Sequence, residues 1–217
     1  MADIYDNAQL HSHLAHLDLD LLEDVLAGTP WAYRSWEPRV RAIVLGRGNN
    51  AATEAREPQC ALDNIAIVRR RGGGGTVLLG PGILVISLVK QVRHQFRIKE
   101  YFRQINDVII AALHTLGIHN LNQQGYSDIC IGDRKILGSS MYRKKHVLFY
   151  TASLMISNEL TDIDRYLKHP SKEPDYRKGR SHSAFLTTLG REYPQVNVEC
   201  VKVAVDAAFA RRIEEIK

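Results

Sequence analysis

Apolar positions along this chain follow two periods, and the switches between them predict its elements. Leu17, Leu21 and Val25 recur at helical spacing, which predicts a helix over Leu14 to Leu26. Shorter runs rich in β-branched residues, Arg41 to Leu45, Ile65 to Arg70 and Leu84 to Val89, predict strands that dominate the first half. Lys99 to Leu116 is the longest amphipathic stretch. Its Tyr101, Phe102, Ile105, Ile109, Ala112 and Leu116 form one apolar face, and Gly117 stands as its stop. Strands at Asp128 to Ile131 and Val147 to Ile156 follow, then short helices near Asp162 to Leu167 and His182 to Leu189. A strand near Val196 to Val203 and a terminal helix from Val205 complete the pattern. No internal repeat, low-complexity tract or linker interrupts it, so an α+β class follows.

At 217 residues and 45% hydrophobic, the chain is expected to form one domain over 1–217, able to bury a core without staples. Cys60, Cys130 and Cys200 are odd in number, far apart and without a CxxC pair, which points to a reducing compartment and to no zinc site. The opening MADIYDNAQLHSHLAHL lacks the basic start and apolar core of a signal peptide, and no apolar run approaches the roughly 18 residues of a membrane span. The expectation is a soluble cytoplasmic protein without membrane contact. The net charge of +5 invites a nucleic-acid reading. Its basic residues, however, gather at Arg69–Arg71 and at Arg134, Lys135, Arg143, Lys144 and Lys145, and no nucleic-acid-binding signature accompanies them. A triphosphate, or an acidic carrier domain, explains the charge equally well.

Chemistry concentrates in RRRGGGGTVLLGPGILVISL, Arg69 to Leu88. Each ordered glycine forgoes roughly 0.5–1 kcal/mol relative to alanine, so Gly72 to Gly75 call for a use of bare backbone. Successive N–H groups can form an anion-binding nest beside the three arginines. A glycine-rich hairpin is the alternative. The spacing matches neither GxxxxGK[ST] nor GxGxxG, which disfavours a P-loop or Rossmann site.

The same letters resemble the RRxSGGGAV signature of the lipoate-protein ligases, a family related to biotin ligases and octanoyltransferases. VRAIVLGRGNN (Val40 to Asn50) is similar to the strand and loop that precede this signature. SDICIGDRKILGSSMYR (Ser127 to Arg143) is similar to the family's D-[IL]-x-[IV]-x-x-[RK]-K-[IL]-x-G-S motif, and HVLFYTASLMI (His146 to Ile156) to its histidine-led strand. The resemblance implies a biotin/lipoate ligase-like catalytic domain, with a mixed or antiparallel sheet flanked by helices. About a dozen residues follow the last predicted strand, so the C-terminal accessory domain of larger members is expected to be absent. A separate accessory polypeptide is then a compatible partner.

The implied reaction uses ATP and Mg²⁺ to convert lipoate or octanoate to the acyl-adenylate, which a lysine of a lipoyl-carrier domain then attacks. By resemblance, Lys135 contacts the acyl carbonyl and the adenylate phosphate. A lysine is a compact point charge that can follow a moving oxygen. Arg70, Gly73, Gly74, Gly75 and Thr76 are the expected substrate and nucleotide contacts. Asp128 is a candidate to orient Mg²⁺ or to bond the nucleotide, with a strand-entry cap as the alternative. Arg47, Asn49 and Asn50 are candidates for the tunnel mouth, with a polar turn as the alternative. Gly72 stands where serine is common and Thr76 where alanine is common, while Pro81 and Ile83 replace polar residues. These changes bear on the acyl pocket, where each methylene is worth only about 0.8 kcal/mol. Two rival readings remain: an ATP-independent acyltransferase using a cysteine thioester, with Cys130 the nearest thiol to Lys135, and a silent acyl- or nucleotide-binding protein. His11, His13 and His16 read as exposed; His146 either faces the site or only begins a strand, and no ligand role is assigned to it.

Overall fold

The computed structural model describes residues 17–94 and 96–217. The predicted His11, His13 and His16, and the first turn of the helix expected from Leu14, lie outside the described residues. That helix is Leu19–Leu26 (α1), entered through Leu17 and Asp18, whose φ values of 24° and 58° are positive. Leu21, Leu22 and Val25 are buried on its inner face.

Among the described residues nine strands make two sheets. The larger has six strands, all antiparallel, in the order β1 (Trp31–Trp36), β5 (Ile83–Gln91), β9 (Val147–Met155), β8 (Arg134–Lys144), β7 (Asp128–Ile131) and β6 (Leu121–Gln124). The smaller has three, in the order β3 (Ala66–Arg69), β2 (Ala42–Leu45) and β4 (Val77–Leu79), with β2 parallel to β3 and antiparallel to β4. The expected α+β class with a mixed or antiparallel sheet is thus the observed one.

The large sheet has two unlike faces, because successive side chains of a strand point to opposite sides. One face carries Leu84, Ile86, Leu88, Leu148, Tyr150, Leu154 and Leu137, all buried. It packs on the long helix α4 (Ile98–Thr115) through Tyr101, Ile105, Ile109 and Leu113, and on α8 (Val198–Arg212) through Val201, Val205 and Phe209. Within that layer the Tyr150 hydroxyl donates to Asn106 Oδ1 at 3.0 Å. The other face is lined by small residues. Register aligns Ser87 with Thr151 and Thr151 with Ser140, and in the neighbouring row Val85 with Ser153 and Ser153 with Gly138. These two rows leave a trench along β5, β9 and β8.

The strand expected over Val196 to Val203 is instead the first half of α8. Val196, Val198 and Cys200 alternate in the sequence, but Asn197 caps the helix, its side chain accepting the Cys200 N–H at 2.9 Å. The buried set Val201, Val205, Ala208 and Phe209 then follows helical spacing. The helix expected over His182 to Leu189 is broken into α6 (His182–Phe185) and α7 (Leu189–Glu192), each capped by a side-chain hydroxyl, Ser181 and Thr188. Between Leu45 and Ala66 lie short helices α2 (Ala51–Glu54) and α3 (Glu57–Leu62), and α5 (Leu160–Tyr166) follows β9.

Candidate functional site

The trench deepens into a cavity of about 740 Å³ between the two sheets, within the roughly 300–1,000 Å³ usual for small-molecule sites. Its lining includes Arg70, Gly72, Gly74, Gly75, Thr76, Asp128 and Lys135. The structure therefore gathers into one space residues from motifs that lie far apart in sequence. Gly73, Arg47 and Asn49 are not among the lining residues, and Gly73 and Arg47 are exposed.

The glycine loop follows β3 and is shaped from beneath. Arg70 Nε donates to the Gly73 carbonyl, Nη1 to that of Val44, and Nη2 to those of Gly73 (2.7 Å) and Gly75 (2.7 Å). Arg47 N–H takes the Gly72 carbonyl at 2.9 Å. Arg69 Nη1 holds the preceding loop through the carbonyls of Gly46, Arg47 and Asn49. With the carbonyls turned toward these donors, the N–H groups of Gly73, Gly74 and Gly75 meet no acceptor among the described residues. That is the construction of an anion nest. Gly74, at φ 85°, needs the left-handed region that glycine tolerates. Burial pushes the Arg70 guanidinium down to about 10, so it stays charged at neutral pH. Its donors serve the loop rather than the open cavity. Asn49 Nδ2 donates to Thr76 Oγ1 at 3.0 Å, tying the β2 loop to the end of the nest.

Lys135, expected in a turn or at a site, is the second residue of β8. Its Nζ lies 2.9 Å from Asp128 Oδ1 on the paired strand β7. The side chain crosses Gly138, where a Cβ would stand 2.8 Å from Nζ. The absence of a side chain at Gly138 thus makes the channel in which the lysine lies.

Asp128 is buried, and its second oxygen accepts the Tyr176 hydroxyl at 2.8 Å. Tyr176 belongs to a 3-10 turn, Asp175–Arg177, in the segment 168–181 that crosses this side of the cavity. Glu173 organises that segment by accepting from Gly179 N–H at 2.8 Å and pairing with His169 at 2.9 Å. The Gly179 bond, first among several donors, holds its carboxyl below the usual range. Arg180 anchors the far end on Asp133 at 2.8 Å. Sequence reasoning missed Tyr176 because the segment lacks an apolar period. Its length, prolines and dense charge between two short helices were the available signal.

Cys130 is buried beneath this cluster and absent from the cavity lining. Its Sγ donates to the Tyr176 hydroxyl oxygen at 3.7 Å. Burial pushes the thiol up to about 11, so it is protonated and a poor nucleophile at neutral pH. His146 is exposed in the β8–β9 turn.

At the other end the trench is closed by Phe149 and Tyr142, paired in register, with Leu17 and Leu19 above them. Along the row of Ser87, Thr151 and Ser140 the hydroxyls are already partnered. Ser140 Oγ and Thr151 Oγ1 are 2.8 Å apart, and Ser87 Oγ donates to Asp18 Oδ2 at 2.6 Å. A hydrocarbon could lie along this row without stranding its hydroxyls.

Residues 13–210 match the family model described as the lipoyl protein ligase A/B catalytic domain. The chain is 30% identical over 132 residues to lipoate–protein ligase 1 of Staphylococcus aureus, covering 60% of this chain and 39% of that protein. It thus spans about two fifths of that curated relative. In fold it is similar to a bipartite lipoate protein ligase of Thermoplasma acidophilum, solved in a study with its E2 lipoyl domain: TM-score 0.76, 19% identity, 92% of this chain and 80% of that one. It is also similar to a lipoate-protein ligase A bound with ATP, with TM-score 0.73, 21% identity, and coverage of 86% and 74%. Among the described residues no helix is long and apolar enough to cross a membrane.

Proposed function

The chain belongs to the lipoyl protein ligase A/B catalytic domain family, and from that premise we propose that it activates lipoate or octanoate with ATP and passes the acyl group to a lysine of a carrier domain. One observation carries the reading: an open N–H nest and a lysine ammonium line a single cavity that continues into a trench of small side chains. A free carboxylate is a poor electrophile. In the proposed first step its oxygen attacks the α-phosphorus of ATP and pyrophosphate leaves. In the second, the carrier's amine attacks the acyl carbon, AMP leaves, and an amide forms.

Positioning supplies most of the acceleration, because well-oriented reactants reach effective molarities of roughly 10⁵–10⁸ M. The nest donates to phosphate oxygens, and its loop is held in advance by Arg70. Lys135 serves the oxygens on which charge develops, where one preorganised donor is worth about 10²–10³ in rate. The acyl chain lies along Ser87, Thr151 and Ser140. Such a floor discriminates poorly between chains differing by a methylene, so both acids are substrates in this reading.

ATP chemistry ordinarily employs Mg²⁺ held by substrate phosphates and one or two carboxylates. Asp128, the candidate ligand, has one oxygen on Lys135 and the other on Tyr176. Among the described residues no group of three or more His, Cys, Asp or Glu is placed to hold a metal. Asp128 in this arrangement does not fit that role, and no step is derived through the ion. The carrier is supported by the net charge of +5 and by exposed Arg71 and Lys145, which an acidic domain would complement. The test is pyrophosphate release from ATP with lipoate and octanoate supplied in turn. Release that depends on either acid supports the reading, and transfer from acyl-carrier donors without ATP contradicts it.

A further inference from the structure

We propose that Tyr176 is a positioning residue for Lys135, acting through Asp128, so that the segment 168–181 sets the aim of the lysine; this rests on the role proposed for Lys135 above. The geometry is a chain of donors that ends on one carboxylate. Cys130 Sγ–H donates to the Tyr176 oxygen at 3.7 Å, Tyr176 O–H donates to Asp128 Oδ2 at 2.8 Å, and Lys135 Nζ donates to Asp128 Oδ1 at 2.9 Å. A carboxylate held by one partner can turn about its last torsion, which is broad. One held at both oxygens by partners from different elements cannot turn without losing a bond. Asp128 and Lys135 lie on adjacent strands, while Tyr176 comes from 48 residues further on and is the distant component.

Tyr176 is itself fixed. Its ring lies 5.2 Å from that of Phe185, its edge lies 3.5 Å from a Cβ built on Gly125, and Arg180 Nη2 donates to its carbonyl at 3.1 Å. Burial, and then the Asp128 charge, push the phenol well above its ordinary range, so it remains a donor at any working pH. The Lys135 carbonyl accepts the Thr187 N–H at 3.0 Å, which secures the lysine's backbone and leaves its side chain as the adjustable part.

The test compares Tyr176→Phe, Asp128→Asn and the double variant. Tyr176→Phe keeps the ring and removes only the hydroxyl. The expected result is a roughly tenfold fall in kcat for pyrophosphate release with the KM for ATP unchanged, the pattern of an interaction made in the transition state. The double variant should be no slower than Asp128→Asn, because the hydroxyl acts through that carboxylate. A second readout needs no turnover. Acetylation of Lys135 by acetic anhydride, measured against exposed Lys144, should rise several-fold in Tyr176→Phe. An unchanged kcat, an additive double variant or unchanged Lys135 labelling would each overturn the proposal. Wild-type protein that releases no pyrophosphate would instead overturn the ligase reading, with the labelling comparison still deciding the role of Tyr176.

Discussion

Gly46 and Gly74 approach so closely that a Cβ on Gly46 would lie 2.1 Å from the Gly74 carbonyl oxygen. The loop after β2 and the nest after β3 are therefore packed backbone on backbone, and neither can move without the other. Gly46→Ala must displace the nest. Overpacking of this kind costs about 1–3 kcal/mol, and here the displacement falls on the binding surface. The expected outcome is a modest fall in melting temperature with at least roughly tenfold weaker ATP binding by calorimetry, equivalent to about 1.4 kcal/mol. Unchanged affinity in a folded variant would mean that the nest does not hold the nucleotide.

The residue common in the family at position 72 is predicted to be unwelcome here. A Cβ on Gly72 would stand 2.9 Å from Ser140 Oγ, which is bonded to Thr151. Gly72→Ser should therefore lower stability by about 1 kcal/mol, and adding Ser140→Ala should recover most of it, as expected of residues in contact. Denaturant melts of both single variants and the double variant check this. Strict additivity would contradict the contact.

Cysteine substitutions separate the ligase reading from a thioester mechanism. Cys130 is protonated and outside the cavity lining, Cys60 is buried under β3, and Cys200 caps α8. Cys130→Ser, Cys60→Ser and Cys200→Ser should each keep most acyl transfer. Abolition by any one of them, with an acylated-cysteine adduct in the mass spectrum of the wild type, would point to the transferase.

His182 gives the fold a predictable acid sensitivity. Burial, with Arg177 nearby, lowers its pKa from the ordinary imidazole value of about 6.5, against the pull of Asp164 at 3.0 Å. The unfolded chain therefore binds this proton more readily than the folded one, and the contribution is present above about pH 6.5 and lost as pH falls below it. His182→Gln should flatten the stability profile between neutral pH and pH 5 in urea titrations. An unaltered slope would show that the histidine is not held neutral.

Much of this site was legible in the letters. Four adjacent glycines after a β-branched run marked the nest, and Lys135 followed from its motif. What the letters could not carry was arrangement. Arg70 looked like an anion ligand, yet its donors are consumed by carbonyls of its own loop, a choice made by backbone geometry. Tyr176 had no local pattern, because its meaning comes from a contact with Asp128 across 48 positions. The small residues Ser87, Thr151, Ser140 and Gly138 look unremarkable one by one and become a trench only through strand register. The strand expected over Val196 to Val203 failed for the opposite reason, since a local cap at Asn197 outweighed a short apolar alternation.

The most direct test of the central claim is pre-steady-state transfer of the acyl group to a carrier-domain lysine by Lys135→Ala, with Lys144→Ala as control. Lys135 is held at the cavity by Asp128 over Gly138, whereas Lys144 lies exposed at the end of β8. Lys135→Ala should remain folded and lose about 10²–10³ in rate with nucleotide affinity little altered. Arginine should not rescue it, because its planar fork cannot occupy the same point. Lys144→Ala should match the wild type. Wild-type rates in both variants would contradict the role of Lys135 and favour a binding protein over a ligase.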